Sequence, residues 1–145
     1  MMKRIVKIVS VVLAMAVLLA VPAQAAEVVA PRGSSYFMSV CTYLWHVSGT
    51  TFEAWFDVTA VRGMDEIGAS SIAIQRSTDN QNWTTVKTFT KANYPSMIDE
   101  DTCQHASYVT YTGSTGYYYR ARVTIYAKDG SGTAFDYWYT DTLHF

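Results

Sequence analysis

The chain has 145 residues, with 11 Lys+Arg, 12 Asp+Glu and a formal net charge of −1. That is one domain's length, and without a basic excess it lacks the patch that phosphate backbones require, so no nucleic acid is expected as a partner. Its 4 Trp, 11 Tyr and 6 Phe, with frequent Thr and Val, suit pleated, half-buried surfaces.

The opening "MMKRIVKIVSVVLAMAVLLAVPAQA" has the layout of a secretory signal peptide. Lys3, Arg4 and Lys7 form a basic start, Ile8 to Val21 is almost wholly apolar, and Ala23 and Ala25 give a small-x-small cleavage pattern. The apolar run is shorter than the roughly 20 residues of a membrane span. Residues 1–25 are therefore expected to be a leader, with cleavage near Ala25. No cysteine lies near that point and "DTLHF" closes the chain without an apolar tail. The expected location is extracellular, with the cell envelope second, and no stable membrane insertion follows cleavage. The three basic residues leave with the leader, so the remainder is mildly acidic.

Residues 26–34 read as a flexible lead-in, and 35–145 as a single domain. Tyr36–Val47 is the first expected strand. Thr51–Val61 alternates cleanly, with Phe52, Ala54, Phe56, Val58 and Ala60 on one face and Thr51, Glu53, Trp55, Asp57 and Thr59 on the other. "RGMDEIG" reads as a polar break. Ser70–Ser77 is the third strand, with Ile72 and Ile74 inward. A polar turn at Asp79–Asn82 leads to Trp83–Thr90, whose Trp83 anchors the strand. Residues 91–102 form a long expected loop, because Pro95 disfavours a central strand. Ala106–Tyr111 is short. Tyr117–Ala127 alternates again, with Tyr117, Tyr119, Ala121, Val123 and Ile125 inward. "KDGSG" is a hairpin signal, and residues 133–145 make the last strand. Seven strands with frequent turns and no helical periodicity predict an all-β, seven-stranded antiparallel β-sandwich.

"SIAIQRSTDNQNWTTVKT" resembles the third and fourth strands of fibronectin type III domains, where a polar turn leads to a Trp and then a Val. "TGSTGYYYRARVTIYAKDGSG" resembles their sixth strand and the hairpin after it. The resemblance covers under half of the chain beyond the leader. It implies a fibronectin type III / Ig-like sandwich with Tyr117 at the tyrosine-corner position, and it implies no activity. The whole sequence also resembles small exported proteins of Gram-positive bacteria grouped as a domain of unknown function, which supports export. The Ig-type Tyr-x-Cys is missing, since position 101 is Asp, so Cys41 and Cys103 are not the usual inter-sheet pair.

Two cysteines in an exported chain nevertheless predict a Cys41–Cys103 disulfide. Closing a loop of that length would contribute about 4 kcal/mol at most. The rival use is a zinc site of Cys41, His46, Cys103 and His105, but Cys41 and His46 have opposite strand parity and the spacings fit no familiar zinc pattern. No metal or other cofactor is expected. Glu53 and Asp57 flank Trp55, yet four strand residues span about 13 Å, beyond the separation of a glycosidase pair. The run Asp99–Asp101 reads as a solvated loop, since three consecutive carboxylates rarely converge on calcium. No nucleophile elbow, phosphate loop or His-Glu-x-x-His is present.

Trp55, Tyr118, Tyr126 and Trp138 fall on the polar phase of their strands and form the candidate binding face. The expected function is a secreted, non-catalytic β-sandwich that binds a protein or glycan through these aromatics. The alternatives are a small secreted hydrolase built on His46 or His105 with Asp99–Asp101, and an exported antibacterial or stress protein.

Overall fold

The structure, a computed structural model, describes residues 35–145; the expected leader and lead-in lie outside the described residues. Seven strands form one antiparallel sheet: β1 (Phe37–Ser48), β2 (Thr51–Ser77), β3 (Thr84–Thr90), β4 (Ile98–Thr112), β5 (Tyr118–Asp129), β6 (Gly132–Tyr139) and β7 (Leu143–His144). β2 organises the rest. Its first half lies between β1 and β4; its second half lies between β5 and β3. β6 and β7 both pair with β5.

The sheet curls because β2 bends. "RGMDEIG", expected as a break, is the bend and stays within the strand. Met64 and Ile67 are buried and keep the chain on the core, while Arg62, Gly63 and Asp65 reach solvent. The register with β4 slips between Thr59 and Met64, and such bulges bend a strand and increase its twist. The polar residues therefore mark a change of direction. A second correction concerns residues 91–102: only 91–97 are irregular, ending in a 3-10 turn at Pro95–Met97, and β4 begins at Ile98. Asp99–Asp101 thus belong to an edge strand, where carboxylates face water.

The curl brings distant faces together. Phe52, Phe56 and Val58 of β2 join Val109, Tyr119, Val123 and Ile125 in one buried cluster. Phe52 meets Tyr119 at 5.4 Å between ring centroids, and the Phe145 ring lies at 5.9 Å from Phe52. The ends of the path also approach each other. The Leu44 N–H donates to Asp141 Oδ1 at 2.9 Å, and the Thr42 hydroxyl donates to the Tyr139 carbonyl at 3.3 Å. A side-chain carboxylate thereby caps part of the β1 edge, which would otherwise invite another strand.

The tyrosine that bonds back to the chain is Tyr119. Its ring is buried, and its hydroxyl accepts the Ser114 N–H at 2.8 Å. Tyr117, at the corner in the resemblance, instead lies under Arg76, whose guanidinium carbon is 4.4 Å from the ring centroid. The reason is register: Tyr119 opposes Arg76 on β2 and points inward, and a Cβ on Gly113 would come within 2.6 Å of its ring. Tyr119→Phe should leave the Ser114 amide without its partner and cost about 1–3 kcal/mol. Urea unfolding measures this, and an unchanged midpoint would show that water replaces the hydroxyl.

The expected Cys41–Cys103 disulfide is not formed; both cysteines are free and exposed. Cys41 opposes Asp57, which opposes Ala106 on β4. β1 and β4 therefore flank β2 on opposite sides, about 10 Å apart, beyond the roughly 7 Å limit between bridged Cα atoms. Both thiols should react with an alkylating reagent in the native protein, and Cys41→Ala should leave the melting temperature nearly unchanged. A mass two hydrogen atoms short with no reactive thiol would contradict this.

The β2–β3 turn is built around Asp79. Its carboxylate accepts from the Asn82 and Gln81 N–H groups at 2.8 and 2.9 Å, and from the Ser77 hydroxyl at 2.8 Å. These bonds, the Asn82 amide first, hold its pKa far below the usual carboxylate range. A depressed folded value stabilises above the unfolded pKa of about 4 and is lost as pH falls through the folded value. The stability gap between wild type and Asp79→Ala should therefore be full at neutral pH and shrink in strong acid. Equal gaps across that range in urea titrations would contradict the assignment.

Candidate functional site

Strand alternation places Tyr43, Trp55 and Tyr108 in one crosswise row, since Tyr43 opposes Trp55 and Trp55 opposes Tyr108. All three point away from the core. The Tyr43 and Trp55 rings are parallel within 3° at 6.0 Å, and Trp55 stacks on Tyr108 at 4.4 Å. The Trp55 indole N–H donates to Glu53 Oε2 at 2.8 Å, which fixes the middle ring. Trp45, the register partner of Glu53, stands in the next row and is 61% exposed. The result is a ridge of fixed aromatic rings, with one open indole beside it, on rigid strands.

The four residues expected to share a face do not do so. Trp55 belongs to this ridge. Tyr118 stacks on His144 at 4.1 Å, at the start of β5. Tyr126 is buried, covered by Phe135 and by the Lys91 ammonium 3.9 Å from its ring centroid. Trp138 opposes the buried Val123, so it has the inward phase of β6; it is 42% exposed because β6 is the outermost strand there. Sequence reading missed Tyr43, Trp45 and Tyr108. Their alternation with Thr42, Leu44 and Val109 was the available signal, but the cross-strand register that aligns them with Trp55 was not.

A second cluster lies on the outer face of β5. Arg120 lies over two rings, with its guanidinium carbon 4.3 Å from the centroids of Trp83 and of Tyr139. Its Nε–H donates to Gln75 Oε1 at 2.8 Å. Burial pulls the Arg120 pKa below its ordinary value, and it stays cationic. Trp83 thus anchors the segment after the turn by packing on a cation rather than in the core.

The residues considered for catalysis or metal binding are partly brought together. His105 Nδ1 lies 3.8 Å from Asp99 Oδ2, and its Nε2–H donates to the Ser96 carbonyl at 2.8 Å. The ring also meets Phe56 edge-on at 5.6 Å. With one nitrogen on a backbone carbonyl and the other facing Asp99, the histidine latches the 3-10 turn to β4. His46 sits apart on β1, donating from Nε2 to the Gly49 carbonyl at 2.9 Å beside Phe145. Cys41 and His46 lie on the opposite side of β2 from Cys103 and His105. Among the described residues no group of three His, Cys, Asp or Glu is arranged to hold a metal ion. Glu53 is engaged by Trp55, and Asp57 by the Gln104 amide at 3.4 Å. Glu66, Lys91, Pro95, Ile98 and Asp99 line a shallow groove, across which the Lys91 ammonium bonds Glu66 at 3.1 Å.

Compared with protein-family models, curated proteins and solved structures, the chain matches none.

Proposed function

We propose that this chain is an exported, non-catalytic binding module of the fibronectin type III / Ig-like sandwich type, and that it binds a protein partner through the Tyr43–Trp55–Tyr108 ridge and Trp45. The sandwich reading draws support from the pairing order: three strand segments (β1, the first half of β2, β4) face four (β3, the second half of β2, β5, β6) across one core. It draws further support from Tyr119, whose bond to the chain just upstream of β5 has the form of a tyrosine corner. Export rests on the leader's sequence.

The observation that carries the binding reading is the ridge itself. Its three stacked rings offer edges rather than open faces, and the one open ring, Trp45, stands alone beside them rather than in a platform of several. A sugar ring needs an open face to stack on; a protein hot spot needs rigid, amphipathic Trp and Tyr at low entropic cost. The strands hold those rings in place before any partner arrives, which lowers the ordering cost of association. The test uses folded wild-type protein and Trp45→Ala as baits against cell-surface proteins, beside a neutral-glycan array. The reading expects a protein captured by wild type and at least about tenfold less by the variant. Capture by neither bait, or neutral glycans retained through Trp45, would overturn it.

A further inference from the structure

The described residues include six cation–π contacts, where about one per 70–80 residues is usual. Arg120 differs from the other cations in lying over two rings. Its guanidinium carbon is 4.3 Å from the centroids of both Trp83 and Tyr139, and Gln75 takes the Nε–H. Among the described residues no carboxylate pairs with Arg120, and its terminal amino groups make no hydrogen bond to another side chain. On the β2 side its crosswise neighbours are neutral, Gln75 and then Thr85; on the other side the chain runs from Tyr139 through Thr140 to Asp141, whose carboxylate already accepts the Leu44 N–H. The next row holds Thr88, Ala73, Arg122 and Tyr139, without a carboxylate. Glu66, the acid on the same face further along β2, is already engaged by Lys91 and Lys128 at 3.1 and 3.6 Å.

We infer that the Trp83–Arg120–Tyr139 clamp is an oxyanion site for an acidic polysaccharide, with the two terminal amino groups of Arg120 receiving a carboxylate or sulfate. A guanidinium presents its donors as a planar fork that matches such a group in bidentate form. The rings remove most of the side chain's freedom, so little ordering remains to oppose binding. They also flank the fork with apolar surface suited to the C–H face of a pyranose, and the threonine and glutamine rows beside it suit sugar hydroxyls. A uronic acid or a sulfated hexose carries all three features. The inference does not depend on the aromatic ridge, which lies on the other outer face.

The probes are polygalacturonate, a heparin-type sulfated polysaccharide, neutral dextran and polyglutamate. Binding to wild type, Arg120→Gln and Arg120→Lys is read by calorimetry, with circular dichroism as the control for folding. The expected result is binding of at least one acidic polysaccharide, no binding of dextran, and a loss of at least about tenfold in Arg120→Gln. Arg120→Lys should recover only part of it, because an ammonium lacks the fork. A second readout needs no variant: the Arg120 Nε–Hε resonance and the Trp83 indole resonance of wild type should shift together on adding the polysaccharide. Equal binding of polyglutamate would overturn the sugar assignment in favour of an acidic peptide. Binding unaffected by Arg120→Gln, or no binding of any polyanion, would overturn the site.

Discussion

Gly68→Ala is expected to cost about 3 kcal/mol or more and to leave little folded protein at physiological temperature. Gly68 sits in the crowded middle of β2, between Tyr126 on β5 and Ile98 on β4. Its φ is +151°, a conformation that an L side chain rarely adopts. An added Cβ would land on the Met97 carbonyl oxygen, with the carbonyl carbon at 3.0 Å and the His105 ring at 3.1 Å. Backbone cannot step aside as a flexible side chain can, and Met97 is itself fully buried. The variant would push the 3-10 turn away from β2 and open the Ser96–His105 latch. Urea unfolding at constant slope gives the number; a loss under about 1 kcal/mol would show that the turn moves freely.

Phe52→Ala should cost about 3–5 kcal/mol. Phe52 is fully buried and touches Tyr111, Tyr119 and Phe145. It links β2 and β4 to β5 and to the end of the chain, so the cavity would open where the curled halves meet. Those neighbours are large rings in fixed contacts, which limits collapse into the space. Phe52→Leu keeps most of the volume and should cost about 1.5 kcal/mol or less. If the alanine variant cost no more than the leucine one, the curled halves would not be packing through this ring.

The local part of the fold was legible in the sequence. The alternation through Phe52–Ala60 and through Tyr119–Ile125 names buried residues correctly, because period-two patterning is a property of one strand. What depends on two strands was not legible. "RGMDEIG" has the composition of a loop, and only burial of Met64 and Ile67 against other strands keeps it extended. The Asp99–Asp101 run likewise looked like a loop, yet an edge strand tolerates it. The cysteine expectation failed for a similar reason. Counting thiols gives no information on which side of β2 each strand lies.

The candidate binding residues divide along the same line. Trp55 could be singled out from its own strand's parity. Tyr43, Trp45 and Tyr108 become a ridge only through register, and Arg120 becomes a clamped cation only when Trp83 and Tyr139 arrive from two other segments. Trp138 shows the converse. Its expected outward phase is reversed by register, because Trp138 opposes the buried Val123 on β5.

On the two proposals above, one rigid β scaffold carries two separate recognition surfaces. The most direct measurement is a cross-comparison of folded Trp45→Ala and Arg120→Gln for protein-partner capture and acidic-polysaccharide affinity. The expected result is a double dissociation: Trp45→Ala loses the protein and keeps the polysaccharide, and Arg120→Gln does the reverse. Loss of both by either folded variant, or of neither by both, would contradict it.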